Sequence, residues 1–341
     1  MASPTLDLNV DPTQLTDEEF TALTAPVTGG LTPPDEVFPD FTGSDRLRPD
    51  GRPRREYRDH LRRISNTRNA VTVLLALLYP VAIVWAAITI HHPLAWIAAF
   101  VAMGTVFPRW AILHHEGAHR LLFTNRRLND WVGQGVFGWL PFGSGSPAYR
   151  IAHASHHRDE FGPREPDLLL YAFYPISRRS LARKLARDAF FVSGYKNFRS
   201  FFRSFRRRST LKYGLRTLAG QLVVLGAFTL IGRPELWVFL WLVPYMTYWR
   251  VANRLRALAE HGGLARSPDK RRSSHHVHQG FLPRLFIVPY NTGFHLAHHV
   301  DSGVPFRALP ELHRTLVEDG YIDPAMIYPN YRTLWRAMVR S

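Results

Sequence analysis

Apolar residues along this 341-residue chain gather into four long runs separated by strongly charged stretches. The first, 69–90, is essentially uncharged and long enough to cross a bilayer core of about 30 Å as a helix. His91-His92-Pro93 interrupts it, and a second run occupies 94–113. A third covers 215–231; Gly232-Arg233-Pro234 breaks it, and a fourth follows at 235–250, with Trp237 and Trp241 near its start. A proline directly after each break suits the first turn of a new helix. The pattern predicts an all-α integral membrane protein made of two transmembrane helical hairpins, four spans in all.

Charge sets the expected orientation. The two tight turns, 91–93 and 232–234, carry one arginine between them, whereas Arg46–Arg68, the 120–214 region and the C-terminal segment are rich in Arg and Lys. The positive-inside rule puts that basic side, and with an even number of spans both termini, in the cytosol. Residues 1–45 hold nine acidic residues and no Lys or Arg. So little apolar surface predicts a disordered acidic tail, followed by one membrane domain over 46–341. The N-terminus lacks the basic start and apolar centre of a secretory signal. Between the hairpins, Arg178–Lys212 interleaves basic residues with Phe190, Phe191, Phe198, Phe201, Phe202 and Phe205. Beside membrane spans, this composition reads as an amphipathic segment on anionic lipid rather than a nucleic-acid surface. The net charge of +16 is mostly arginine, in keeping with a GC-rich genome, and a bacterial inner membrane is the expected location.

Composition changes the picture at one point. The chain has no cysteine and 17 histidines. Disulfides, iron–sulfur ligation and cysteine-based zinc sites are excluded, so any metal is held by nitrogen and oxygen. Most of the histidines are clustered: His114-His115-Glu116-Gly117-Ala118-His119, His153-Ala154-Ser155-His156-His157 and His295-Leu296-Ala297-His298-His299, with His261 after Glu260. On a helix, positions i, i+3 and i+4 share a face, so each cluster can aim two or three imidazoles in one direction. His115 and His119 lie 22 and 26 residues beyond Pro93, and His261 lies 27 beyond Pro234. At about 1.5 Å per residue these are roughly 33–40 Å, just past the hydrocarbon core. The ligand candidates therefore meet on the cytosolic side, in a helical cap that carries the boxes. Eight clustered histidines exceed the needs of one ion and suit two, and nitrogen donors favour iron, copper or zinc. His275, His276 and His278 fit no cluster and read as a solvated loop.

These motifs resemble those of the membrane fatty acid desaturases. The histidine boxes HEGAH, HASHH and HLAHH stand in that family's order, with Arg158 and Pro166-Asp167 after the second and Pro289-Tyr290-Asn291 before the third. The stretch His299-Val300-Asp301 through Val304-Pro305 to Leu309-Pro310 is similar too. The resemblance implies a diiron centre held by His115, His119, His153, His156, His157, His261, His295, His298 and His299. Its chemistry takes oxygen as co-substrate and two electrons from an external donor. His114 offers an alternative register in the first box. Asn291, Glu260 and Asp301 are candidates for orienting ligands or holding water. The 34 residues between His119 and His153 resemble desaturase rather than hydroxylase spacing. No His-Pro-Gly-Gly haem sequence is present, so a separate ferredoxin- or cytochrome b5-like donor is expected, and an acidic one would suit the basic face.

Three functions follow. The first is oxygen-dependent desaturation of an acyl chain carried on lipid, coenzyme A or carrier protein. A second keeps the diiron site but inserts oxygen, as a hydroxylase or tailoring oxygenase. A third, a non-redox membrane metal-binding protein, calls for ionisable residues along the spans. These are nearly empty of them, apart from Arg109 and Glu235 near helix ends.

Overall fold

The computed structural model describes residues 11–38 and 40–340, which are mostly helical. Among them, strand is confined to two-residue parallel pairs, Ile176–Ser177 with Val339–Arg340 and His276–Val277 with Ile327–Tyr328. The helices that position the site are α1 (Asp17–Thr24), α2 (Asn66–Ile90), α3 (Pro93–His119, interrupted at Thr105), α4 (Ala148–Arg158), α5 (Arg178–Ala189), α6 (Val192–Ser204), α7 (Arg208–Leu230), α8 (Tyr248–His261), α9 (His295–Val300) and α10 (Leu309–Glu318).

Among the described residues, three helical stretches are long and apolar enough to cross a membrane: Arg55–Ile90, which contains α2, then α3 and α7. α2 turns Leu74, Leu75, Val81 and Trp85 outward, each more than half exposed, an apolar surface that water would not tolerate uncovered. The fourth expected run is not one of these helices. It folds as a π-helical stretch, Trp237–Leu242, and a short helix, Val243–Met246, and it bends at Thr247 before α8 begins. Pro244 explains the irregularity: it has no N–H for the helical ladder, and its ring displaces the carbonyl of Leu240 one turn back. Pro108 stands in the same relation to Gly104, and α3 is interrupted next to it, at Thr105.

Aromatic packing joins these segments. Trp110 and Phe107 of α3 meet Trp241 at centroid distances of 5.5 and 5.1 Å, and Trp110 Nε1 donates to the Ala76 carbonyl of α2 at 2.9 Å. Near the C-terminal end of α3, Gly117 lies against Gly133 of the π-helical stretch Trp131–Phe137. A Cβ on either glycine would stand 2.5–2.6 Å from the other's Cα, so both positions require glycine. α6 and the turn joining it to α5 leave Phe190, Phe191, Tyr195 and Phe202 exposed, the apolar side of the amphipathic segment read from sequence.

The N-terminal segment differs from the expected disordered tail. Residues 1–10 lie outside the described residues, but α1 is formed and closed by a capping box between Thr16 and Glu19. Its Phe20 is buried against Phe161, Leu168, Tyr171, Ala257 and Leu264. Gly29 and Leu31 donate main-chain N–H groups to Leu264 and Gly263 at 3.0 and 2.8 Å. Asp17 and Asp35 pair with Arg266 and Arg272 at 3.0 and 2.7 Å. Average composition concealed a few apolar anchors and an acidic charge that matches a basic surface in the same chain.

Candidate metal centre

Four segments bring the histidines together. α3 ends at His119, α4 carries the second box, α8 ends at His261 and α9 carries the third box. Their imidazoles form two adjoining groups. His115, His119, His153, His157 and His298 make one; His156, His261, His295 and His299 make the other. Within each group the potential donor nitrogens all lie within 4.8 Å of one another. The groups touch where the rings of His157 and His299 stand 4.4 Å apart. Every histidine in the expected ligand set is in one of the groups.

His114 is not. Its Nε2 meets Gln134 Oε1 at 2.9 Å, and its ring lies 4.3 Å from that of Tyr149. Of the two neighbours in the first box, His115 lies in a histidine group and His114 lies outside it.

Nitrogen geometry tests whether a metal fits. Nε2 of His153 lies 2.8 Å from Nε2 of His119 and 3.0 Å from that of His157, which is 3.0 Å from Nε2 of His298. In the second group, Nε2 of His295 and His261 are 2.8 Å apart. Imidazole nitrogens about 2.0–2.1 Å from one cation and at right angles to each other would be roughly 3 Å apart, so these spacings fit shared ions. Protonation agrees. Burial holds His153, His157, His261, His295, His298 and His299 well below the ordinary histidine range, leaving neutral rings with a lone pair to offer. His156 is the exception: burial lowers its pKa, but Glu165, Glu160 and Asp167 together outweigh this and raise it.

The second group is held from behind. His261 Nδ1 donates to the Ser273 carbonyl at 2.6 Å, and because a carbonyl only accepts, Nε2 must carry the lone pair that faces the cluster. His156 Nδ1 meets Glu165 at 2.6 Å, and His299 Nδ1 meets Glu160. Glu160 is itself fixed by Lys270 at 2.8 Å and by the Ser273 hydroxyl. His299 Nε2 is buried without a protein partner, as expected of an atom waiting for an ion.

The expected supporting residues fare unevenly. Glu260 lies 3.5 Å from His295 Nδ1 and is gripped by Arg256 at 2.6 and 2.9 Å. Asp301 instead pairs with Arg62 at 2.5 and 3.1 Å, tying the third box to the segment before α2. Asn291 bonds Arg284 and the Phe306 carbonyl, so neither residue touches a clustered histidine. Glu160 and Glu165 escaped the sequence reading, although the first is three residues beyond His157 and the second immediately precedes Pro166-Asp167. His275 and His276 correct the solvated-loop reading, since both are buried; His275 Nε2 meets the Gly262 carbonyl at 2.7 Å. Their segment packs beneath the end of α8, because the His275 N–H bonds the Glu260 carbonyl.

Beside the histidines opens a cavity of about 410 Å³, bordered by His115, His153, His156 and His295 and by Phe107, Tyr149, Tyr245 and Arg256. A substrate in it would lie next to both groups.

Known proteins place this arrangement. The chain is 26% identical over 235 residues to dihydrorhizobitoxine desaturase of Bradyrhizobium elkanii, covering 61% of this chain and 64% of that protein. It is 23% identical to the chloroplastic omega-6 fatty acid desaturases of Glycine max and Spinacia oleracea, over 67% of this chain and 56% and 54% of theirs. It thus spans between about half and two thirds of the length of these relatives. The fatty acid desaturase family pattern matches residues 91–333, more than half of the chain and all of the histidine clusters, and the chain belongs to that family.

Proposed function

We propose that this chain is a four-span membrane enzyme that desaturates an acyl chain at a diiron centre held by the nine histidines. The fourth span is the broken segment over 235–250, and the histidine cluster and both termini face the cytosol, where the basic segments lie. The observation that carries the reading is the sorting of nine histidines into two adjoining nitrogen groups beside one cavity. Asn291, Glu260 and Asp301 support the centre at different removes, Glu260 through His295 and Asp301 by fixing the third box.

Two irons in these groups would supply reduction of oxygen and removal of hydrogen from an unactivated carbon. Overall, one –CH2–CH2– unit, one O2, two electrons and two protons give –CH=CH– and two waters. The electrons come from a separate ferredoxin- or cytochrome b5-like protein. The chain's own part is to fix geometry: Glu160, Glu165 and the Ser273 carbonyl hold three imidazoles with Nε2 inward, and the cavity walls keep the reacting carbon beside them. Phe107, Phe137 and Ile112 border that cavity and limit water around it.

The test is iron per chain in detergent-purified wild type and His157→Ala, with product mass measured in the same preparations. About two irons in the wild type, with the iron of the five-histidine group and the activity lost in the variant, and a product two daltons lighter than substrate support the reading. A gain of sixteen daltons would reassign the enzyme as a hydroxylase or tailoring oxygenase. One zinc, or no metal after iron supplementation, would overturn the diiron assignment.

A further inference from the structure

The cavity beside the histidines has two unlike walls. Phe107, Ile112 and Phe137 make one of them apolar. On the other, α8 sets Asn253, Arg256 and Glu260 along one face, and α4 adds Tyr149, one turn before His153. The Tyr149 ring lies nearly parallel to that of His153, with 5.4 Å between centroids. Polar atoms on this wall are left over. Arg256 Nη1 donates to both Glu260 oxygens at 2.6 and 2.9 Å, and Nη2 reaches Asn253 Oδ1 at 3.3 Å. A guanidinium has more N–H donors than these, and Nε is buried with no acceptor. Among the described residues, neither the Asn253 Nδ2 nor the Tyr149 hydroxyl has a hydrogen-bond partner, and both side chains border the cavity. Charge on this wall is already matched. Glu260 answers Arg256, and Asp167, exposed at the edge, shares an adjoining cavity with Lys184, Arg187 and Lys196.

A plain hydrocarbon in this cavity would strip water from these donors and offer them nothing in return, an unfavourable exchange at each N–H or O–H. The matched charges give no preference for an anion or a cation. A neutral group that both accepts and donates fits the wall: it accepts from Arg256, Asn253 or Tyr149 and donates to the Tyr149 oxygen or to Asp167. We propose that the substrate carries a hydroxyl group close to the reacting carbons, and that Tyr149, Asn253 and Arg256 hold its oxygen. The inference rests on the acyl-desaturase reading given above and narrows it to an oxygen-bearing chain. Tyr149 and Arg256 stand about one helical turn, roughly 5.4 Å, before the histidines of their own helices. Only a few bonds can therefore separate the hydroxyl from the carbon presented to the irons. The apolar wall covers the rest of that part of the chain, and the hydrogen bonds fix which carbon is presented.

Equilibrium binding to the iron-loaded, detergent-purified full chain tests this without turnover. Two probes of matched length, 1-hexanol and 1-chlorohexane, differ only in the group this wall would recognise, and each affinity is corrected for partition into protein-free micelles. The wild type is expected to prefer 1-hexanol by about tenfold or more. Tyr149→Phe and Asn253→Leu should each reduce that preference by about threefold or more, leaving 1-chlorohexane affinity and iron per chain unchanged. Ile112→Val, on the apolar wall, should leave the preference as it is. Equal affinity for the two probes overturns the proposal, as does a preference that survives both polar-wall variants. Tighter binding of hexanoate or hexylamine than of 1-hexanol also overturns it, because the wall would then select a charge. Failure of the acyl-desaturase reading would appear elsewhere, as missing iron or an unexpected product mass, and is distinguishable from a lost probe preference.

Discussion

The two histidine groups are built to different standards. In the group of four, all rings are buried, and three Nδ1 atoms are anchored to Glu165, Glu160 and the Ser273 carbonyl. In the group of five, no Nδ1 has a hydrogen-bond partner among the described residues: that of His115 is buried 3.5 Å from the Glu116 carboxylate, that of His298 is buried without a hydrogen bond, and His119, His153 and His157 are half-buried. Anchored rings hold their lone pairs in place before an ion arrives, whereas free rings must be ordered by the ion itself. The inner group should therefore bind more tightly and exchange slowly. The outer one, near a second opening lined by His119, His153 and His157, should exchange quickly and face incoming small molecules.

The largest expected effect comes from breaking the anchored group. His261→Ala should abolish turnover and lower iron from about two per chain to about one, measured by elemental analysis beside protein concentration. A fall to zero would break the comparison, because it would mean that the groups fill as one cooperative site. Chelation probes the same contrast in the native chain. Graded chelator should remove one iron well before the second, giving a plateau near one per chain in the time course. Simultaneous loss would remove the distinction between the groups.

Changes behind the ligands should be smaller. Glu160→Gln keeps the shape of a side chain that meets His299, Lys270 and Ser273 but removes its charge. Losses of this kind typically cost 10–100-fold in metal affinity, and here the loss should fall on the inner iron alone. Competition with a chelator of known affinity reads it. A smaller effect still is expected from Phe20→Ala in α1. Phe20 packs on Phe161 and Tyr171, and Tyr171 stands 4.9 Å from His261. Removing a buried phenyl ring costs on the order of 3 kcal/mol, enough to release the N-terminal segment locally. Faster amide exchange over 11–38, with both irons retained, is the expected outcome; unchanged exchange would show that Phe20 does not hold the segment.

The contrast between the groups also shows what could be read from sequence. The clustered histidines were legible because i, i+3, i+4 spacing on a helix is a local property, and three clusters repeat it. The anchors were not. Glu160 and Glu165 reach their histidines from the loop after α4, and Ser273 contributes a main-chain carbonyl, for which no residue type is diagnostic. Three of the apolar helices were legible from run length, but the π-helical break of the fourth run depends on how Pro244 redirects its carbonyls. Burial of His275 and His276 and docking of α1 are long-range events that composition averages away.

The smallest expected effect concerns the one ligand position that the sequence left open. His114 and His115 are adjacent, so on a helix their side chains diverge by about 100° and only one can face the ions. His115 is the one turned toward His119, His153 and His298, at ring distances of 4.4–4.7 Å. His114 turns instead to Gln134, whose Nε2 returns a hydrogen bond to the His114 carbonyl at 3.3 Å. Its ring also borders the histidine-lined cavity beside Tyr149. His114→Gln should therefore keep both irons and shift KM more than kcat, by a few-fold, because a cavity wall changes while the ion geometry does not. His115→Gln should cost the outer iron. If the two variants instead lost iron equally, α3 would have to deliver both neighbours to the centre, and the assignment of five ligands to the outer group would fail with it.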